Sequence, residues 1–220
     1  MTDLWRPLLL SLGIALLATL LVAATGVPLA YFMARRRFPG RSILEALITV
    51  PLVLPPTVVG YLLIVTLGAQ GWAGAWLHRA AGYSIMFRVE GAVLAAAVVA
   101  LPMLYLPARA AFAAVEKEME DVATLMGAGR LATFWHVSLP LARRGIAAGL
   151  ILAFARALGE FGATAMVLGI QPGRLTLPIS IWVDYEHGDL AHASLAVAAL
   201  TAVSLALVMA YNASSASRQE

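Results

Sequence analysis

Two charged residues stand inside a long apolar stretch, Phe154-Ala155-Arg156-Ala157-Leu158-Gly159-Glu160-Phe161-Gly162-Ala163. Arg156 and Glu160 are four apart, so on a helix they share a face and can pair. A charge that faces lipid unpaired costs at least a few kcal/mol. The two must therefore face protein or a wet cavity, as a polar element of a translocation path or its gate, or as an ion pair that fixes helix packing. A second unusual cluster is Pro51-Leu52-Val53-Leu54-Pro55-Pro56-Thr57. Prolines at this density break the helical hydrogen-bond ladder, and lipid cannot satisfy the freed carbonyls. Pro55, Pro56 and Thr57 are accordingly placed along a water-filled path or buried in protein; a plain kink packed on its neighbours is the alternative.

The third set lies in the one long polar interruption, residues 121–140: Asp121 and Ala123, then Gly127, then Leu139-Pro140. Residues 115–126 predict an amphipathic helix, with Val115, Met119, Val122 and Met126 on one face and Glu116, Lys117, Glu118 and Glu120 on the other. Gly127 and Gly129 interrupt it and allow a sharp turn. A second short helix fits 130–137, exposing Leu131, Phe134 and Trp135. Pro140 ends that helix and turns the chain back towards the next apolar run. A helix–glycine–helix knob at a membrane surface can act as a rigid lever; a helix lying on lipid headgroups is the other reading.

Enzyme chemistry has few residues to run on. A phosphate-cradling loop needs G-x-x-x-x-G-K-[ST], and the only lysine, Lys117, sits between Glu116 and Glu118. There is no HExxH, no GxSxG and no paired carboxylate in an apolar run. The chain has no cysteine, which excludes disulfides and thiolate chemistry. His78, His136, His187 and His192 are too scattered to suggest a metal site.

The elements that must position these residues are membrane spans. Of 220 residues, 61% are hydrophobic and 12% charged, against about 25% charged in soluble domains. A transmembrane helix needs about 20 apolar residues, and five stretches qualify: 8–34, 43–67, 90–108, 146–169 and 190–212. The first is 27 residues long, beyond the roughly 7–15 of a secretory signal's apolar core, and predicts a retained span. Arg156 and Glu160 then lie roughly 15 and 21 Å from the start of the fourth span at about 1.5 Å per residue.

Lysine and arginine set the orientation. With the 35–42 loop inside, the inner set is Arg35, Arg36, Arg37, Arg41, Arg109, Lys117, Arg130, Arg143, Arg144 and Arg218. The outer set is Arg6, Arg79, Arg88 and Arg174, and Arg156 completes the 15. The N-terminus is expected outside, the C-terminus inside, and the loop 109–145 in the cytoplasm. The basic residues are scattered at membrane edges and give no support to nucleic-acid binding. Trp72 and Trp76 in the outer segment 68–89 suit interface anchors. The outer loop 170–189 carries Pro172-Gly173-Arg174, Asp184, Glu186, His187 and Asp189.

The spacing at 121–140 resembles the EAA loop, E-A-A-x-x-x-G-x12-P, of permease subunits of ATP-binding-cassette (ABC) importers, with Asp121 for the leading Glu and Val122 for the first Ala. Two further stretches, Pro-Leu-Val-Leu-Pro-Pro-Thr-Val-Val-Gly-Tyr (51–61) and Ala-Leu-Gly-Glu-Phe-Gly-Ala (157–163), resemble the molybdate branch of that family. The resemblance implies an all-α type I importer permease over residues 8–212 in a bacterial or archaeal cytoplasmic membrane. In it, Asp121, Ala123, Gly127 and Ala128, with Leu131, Phe134, Leu139 and Pro140, would form a cytoplasmic coupling helix docked on an ATPase.

The same resemblance implies the assembly: two copies of this chain, two ATPase subunits that use ATP and Mg²⁺, and an external oxyanion-binding protein that docks on 68–89 and 170–189. No cofactor is implied for this chain itself. Five helices are few to enclose a pore, which favours a homodimer with the path on its two-fold axis. Tungstate, sulfate or thiosulfate are the alternative cargoes. A stand-alone secondary transporter would show discontinuous helices in both halves, whereas the sequence shows a single broken segment, near Pro51–Pro56.

Overall fold

A computed structural model of the chain describes residues 4–171 and 173–216, whose regular structure is entirely helical. Pro172 and Arg218 lie outside the described residues. The centre of the fold is not the polar loop but the third apolar run. Helix α5 (Val89–Ala113) is the most enclosed of the long helices. It follows α1 (Trp5–Arg35), α2 (Arg41–Thr49), α3 (Pro56–Leu67) and α4 (Trp72–Ala81). Its buried positions are mostly small: Ala92, Ala95, Ala96, Ala97, Ala100 and Ala108. Small side chains let helices come close where apolar burial in lipid gives no driving force.

Against α5, helix α1 presents Ile14, Ala18, Val22, Gly26 and Ala30, a buried stripe at four-residue spacing. Helix α8 (Leu139–Leu158) also packs on α5 and on α1. At the α5 contact a Cβ on Gly145 would stand 2.5 Å from the Ala111 Cβ, and one on Gly149 would stand 2.9 Å from Pro107 Cγ. An ion pair between Arg109 and Glu45 ties α5 to α2.

Among the described residues, four helices are long and apolar enough to cross a membrane, and a fifth span results if the pair Arg41–Leu52 and Pro56–Leu67 is counted as one. That pair is bent by 116°. The expected second span is therefore broken, as the prolines dictate. A 3-10 turn, Val50–Leu52, ends the first piece, and Pro55 and Pro56 open the second. The 12 residues of α3 extend roughly 18 Å, short of the roughly 30 Å of hydrocarbon.

Four expectations are corrected. First, Pro140 does not turn the chain back. Helix α6 (Lys117–Leu125) is followed by α7 (Arg130–Thr133), a π stretch (Phe134–Ser138) and α8 without a break, giving one helix of 29 residues, Arg130–Leu158. A mid-helix proline clashes with the carbonyl four residues back. Here the preceding π stretch, with Leu139 N–H bonded to the Phe134 carbonyl, loosens that turn and accommodates the ring.

Second, the fourth span does not run unbroken through 146–169. It stops at Leu158 and restarts as α9 (Gly162–Leu168), so two apolar segments are interrupted among the described residues rather than one. Arg156 accordingly sits in the last turn of α8 and Glu160 in the gap, not on one continuous helical face.

Third, the segment 170–189, expected as an outer loop, contains a helix, α10 (Leu177–Glu186), whose Leu177, Ile179 and Ser180 are buried. The Leu177 N–H donates to Ser11 Oγ at 2.7 Å. Likewise α4 occupies part of 68–89. Fourth, of Gly159 and Gly162, which as small residues could each let another helix come close, only Gly162 does so: a Cβ on Gly159 would meet only the Ala155 carbonyl of its own helix at 3.6 Å, whereas one on Gly162 would meet α3. The last helix, α11 (Leu190–Ala216), is the least enclosed of the long helices.

Candidate functional site

The turn after α6 explains the spacing of Ala123, Gly127 and Ala128. Met126 is the helix C-cap, and Gly127 follows with φ +92°. Its N–H donates to the Thr124 carbonyl, and the Ala128 N–H reaches back to the Ala123 carbonyl, each at 3.0 Å. This is a Schellman closure, whose left-handed residue favours glycine. The two alanines are its end positions, both half-buried. The sequence A-x-x-x-G-A thus encodes a fixed elbow. A Cβ on Gly127 would meet nothing within 4 Å, so the site is open on its outer side.

Helix α6 keeps Glu116, Lys117 and Glu118 exposed as expected, but its apolar positions are uncovered as well. Met119, Val122, Leu125 and Met126 are exposed, the last two more than 80%. Glu120, expected on the polar face, points inward. Its Oε1 accepts from Arg35 Nε at 2.9 Å and from Ser138 Oγ at 2.5 Å. The predicted helix also starts two residues late, and Val115 is buried ahead of it. Leu131 and Trp135 are exposed too, as is Asp121. The loop thus carries a run of uncovered apolar side chains around an acid.

Phe134 is not part of that exposed set. Its ring centroid lies 4.9 Å from Tyr31, 6.1 Å from Phe112 and 5.4 Å from Trp135, an aromatic cluster that fastens the loop to α1 and α5. Leu139 also packs on the core, whereas Pro140 is exposed. Of the eight loop candidates, Asp121, Gly127, Leu131 and Pro140 face outward, Ala123 and Ala128 close the elbow, and Phe134 and Leu139 anchor it.

The two apolar-segment candidates converge. Gly162, just after Glu160, lies against residues 56 and 57: a Cβ there would stand 3.2 Å from Pro56 Cβ and 3.1 Å from the Thr57 backbone nitrogen. Deeper along α3, Gly60 lies against Ala163 and Met166. The broken ends of both segments are therefore side by side. The Glu160 side chain is 1% exposed, with Oε2 2.6 Å from Arg156 Nη1, an ionic contact rather than an aligned hydrogen bond. Its Oε1 accepts from the Ala163 N–H at 2.8 Å. Glu160 thus caps α9 while paired to α8, and holds the two pieces of the broken segment in register.

Sequence reading missed this carboxylate's capping role and the inward turn of Glu120. The glycines flanking Glu160 were a local signal for the first. Nothing near Glu120 signalled the second, because Arg35 is 85 residues away. On the opposite end, His192 Nδ1 lies 2.6 Å from Asp184 Oδ2 and joins α10 to α11. Among the described residues no three His, Asp or Glu side chains are grouped to hold a metal.

The fold is that of known importers. The chain superposes on a bacterial ABC transporter involved in the import of the acidic polysaccharide alginate with TM-score 0.74, at 18% identity, covering 100% of this chain and 82% of that one. In sequence it is 39% identical to the molybdenum transport system permease protein ModB of Escherichia coli (strain K12) over 208 residues, 93% of this chain and 89% of the relative. It is 40% identical to the ModB protein of Mycobacterium tuberculosis (strain ATCC 25618 / H37Rv) over 205 residues, 92% of this chain and 76% of the relative. Residues 26–218 match the family described as binding-protein-dependent transport system inner membrane component. With nearly the whole chain matched, this protein belongs to that family and is a multi-pass, non-catalytic transport subunit of the inner membrane.

Proposed function

We propose that this chain is the permease of an ATP-driven importer for molybdate, and that residues 121–140 receive the motion of a separate ATPase. The relatives whose names specify molybdenum transport support the cargo. One observation carries the coupling role: α6 leaves Met119, Val122, Leu125 and Met126 uncovered beside Leu131 and Trp135. An apolar patch of this kind marks an interaction site, and Asp121 gives it a charged rim.

The lysine and arginine bias supports a cytoplasmic position for this loop, with the N-terminus outside. Residues 8–212 form the transport domain, with 109–145 as its cytoplasmic loop. Two copies pair around the path, two ATPases bind below, and an oxyanion-binding protein docks outside. The poorly enclosed α11 agrees with such a pairing. ATP and Mg²⁺ are used by the ATPase alone. ATP binding closes the ATPases, draws the paired loops together and tilts the bundles; cargo enters from outside, and hydrolysis resets the inward-open state. Pro55, Pro56, Thr57, Arg156 and Glu160 stand where two broken segments meet and form the wall of the path.

The test is uptake into proteoliposomes holding this chain and its ATPase. Molybdate should accumulate only with ATP and the loaded binding protein. Leu131→Asp should stop co-purification of the ATPase while the permease still inserts. Uptake without ATP, or full co-purification by that variant, would refute the reading. Competition by tungstate, sulfate and thiosulfate for the binding protein settles the cargo.

A further inference from the structure

The inward carboxylate of α6 joins three elements at one oxygen. Glu120 Oε1 contacts Arg35 Nη2 at 2.8 Å, besides accepting from Arg35 Nε and Ser138 Oγ. The same Arg35 Nη2 donates to the Val115 carbonyl at 3.0 Å. Arg35 ends α1, Val115 leads into α6, and Ser138 ends the π stretch that opens into α8. The cluster is largely closed to solvent: the Arg35 and Glu120 side chains are 18% and 12% exposed, and Ser138 is fully buried. In so enclosed a place a charge-assisted, directional contact is stronger than at the surface.

We infer that Glu120 is a positioning residue that carries the motion of the exposed α6 face into α1 and α8 together. This rests on the reading of 121–140 as the ATPase-docking loop. The covalent route out of α6 leaves the fixed elbow at Gly127 through the extended backbone at Gly129, a residue with wide backbone freedom, and leads to α8 but not to α1. Apolar side chains can slide past one another under load. Hydrogen bonds from a guanidinium and a hydroxyl to one oxygen fix direction as well as distance. Arg35 passes displacement to α1, and Ser138 passes it to α8, the two helices that pack on α5. The uncovered apolar face and the buried carboxylate lie on opposite sides of α6, so the residue that transmits is distinct from those that dock.

The experiment compares Glu120→Gln, Ser138→Ala and the exchange Arg35→Glu/Glu120→Arg in the complete transporter. ATPase co-purification, basal hydrolysis and stimulation by loaded binding protein are read for each. Glu120→Gln should assemble with the ATPase and hydrolyse basally, yet lose stimulation and uptake by about tenfold, the usual scale of coupling between distant sites. Ser138→Ala, which keeps the Arg35 pair, should fall in the same direction by about threefold, and the exchange should recover much of the loss. A parental stimulation ratio in either single variant overturns the inference. So does loss of co-purification in Glu120→Gln, which would make Glu120 a docking residue. Failure of the parent chain itself to bind an ATPase would instead remove the docking reading beneath it.

Discussion

Gly162, the first residue of α9, rests against Thr57 in the first turn of α3, where a Cβ would approach both the Thr57 backbone nitrogen and Cγ2 to 3.1 Å. Two segments that lose their helical continuity far apart in sequence thus lose it at the same place in the fold. The contact admits no side chain without movement. Gly60 is tighter still, with a Cβ 2.7 Å from Met166 Cβ and 3.0 Å from the Ala163 backbone. Gly162→Ala should cost about 1 kcal/mol and Gly60→Ala about 1–3 kcal/mol. Thermal unfolding in detergent reads both, and the reverse order of severity would contradict the packing described.

The Arg156–Glu160 pair makes a prediction of asymmetry. Arg156→Ala strands a buried carboxylate and should cost about 3–5 kcal/mol. Glu160→Gln keeps an acceptor for the Ala163 N–H and should cost about 1–2 kcal/mol. The double variant should be more stable than Arg156→Ala alone, because the stranded charge is gone. A double-mutant cycle on melting temperature checks the sign. Additive effects would mean that the pair does not interact.

At Gly127 the penalty is conformational, since nothing surrounds the missing Cβ. Gly127→Val should destabilise the elbow by about 1–2 kcal/mol, the cost of left-handed backbone for a residue with a Cβ. Gly127→Asn should cost less, because asparagine tolerates that region. Amide exchange at Ala128, whose N–H closes the turn, should speed up in the valine variant and change little in the asparagine one.

Ser11 supplies the only side-chain acceptor recorded for the buried Leu177 N–H among the described residues. Ser11→Ala should leave that donor unsatisfied and cost about 1–3 kcal/mol. Limited proteolysis near α10 should become faster than in the parent. Unchanged protease resistance would show that α10 is held by its apolar contacts alone.

What was legible in the sequence was local. The apolar runs gave the long helices, the prolines at 51–56 announced the break that the structure bends by 116°, and Gly127 and Gly129 announced the turn after α6. What was not legible depended on residues far away. Glu120 looks solvated until Arg35 arrives from 85 positions earlier. Phe134 looks exposed until Tyr31 and Phe112 close on it. Pro140 looks like a terminator because proline rules assume an ideal α-helix, and the π stretch before it relaxes that assumption. Residues 170–189 read as a polar loop because their acids are visible and the buried contacts of Leu177 and Ile179 are not.

The five residues Phe134–Ser138 have a consequence for clocking. Each residue advances an α-helix by about 100°, so the wide turn sets the angular phase between Leu131 before it and the Gly145 and Gly149 seam against α5 after it. Deleting one residue there would convert the wide turn to ordinary winding with the two halves still in phase, whereas winding all five residues as ideal α-helix would rotate one half against the other by roughly that angle. The glycine seam would then swing away from Ala111 and Pro107, or Leu131 would swing inward. The wide winding of this segment, rather than any particular side chain, is thus the gear setting.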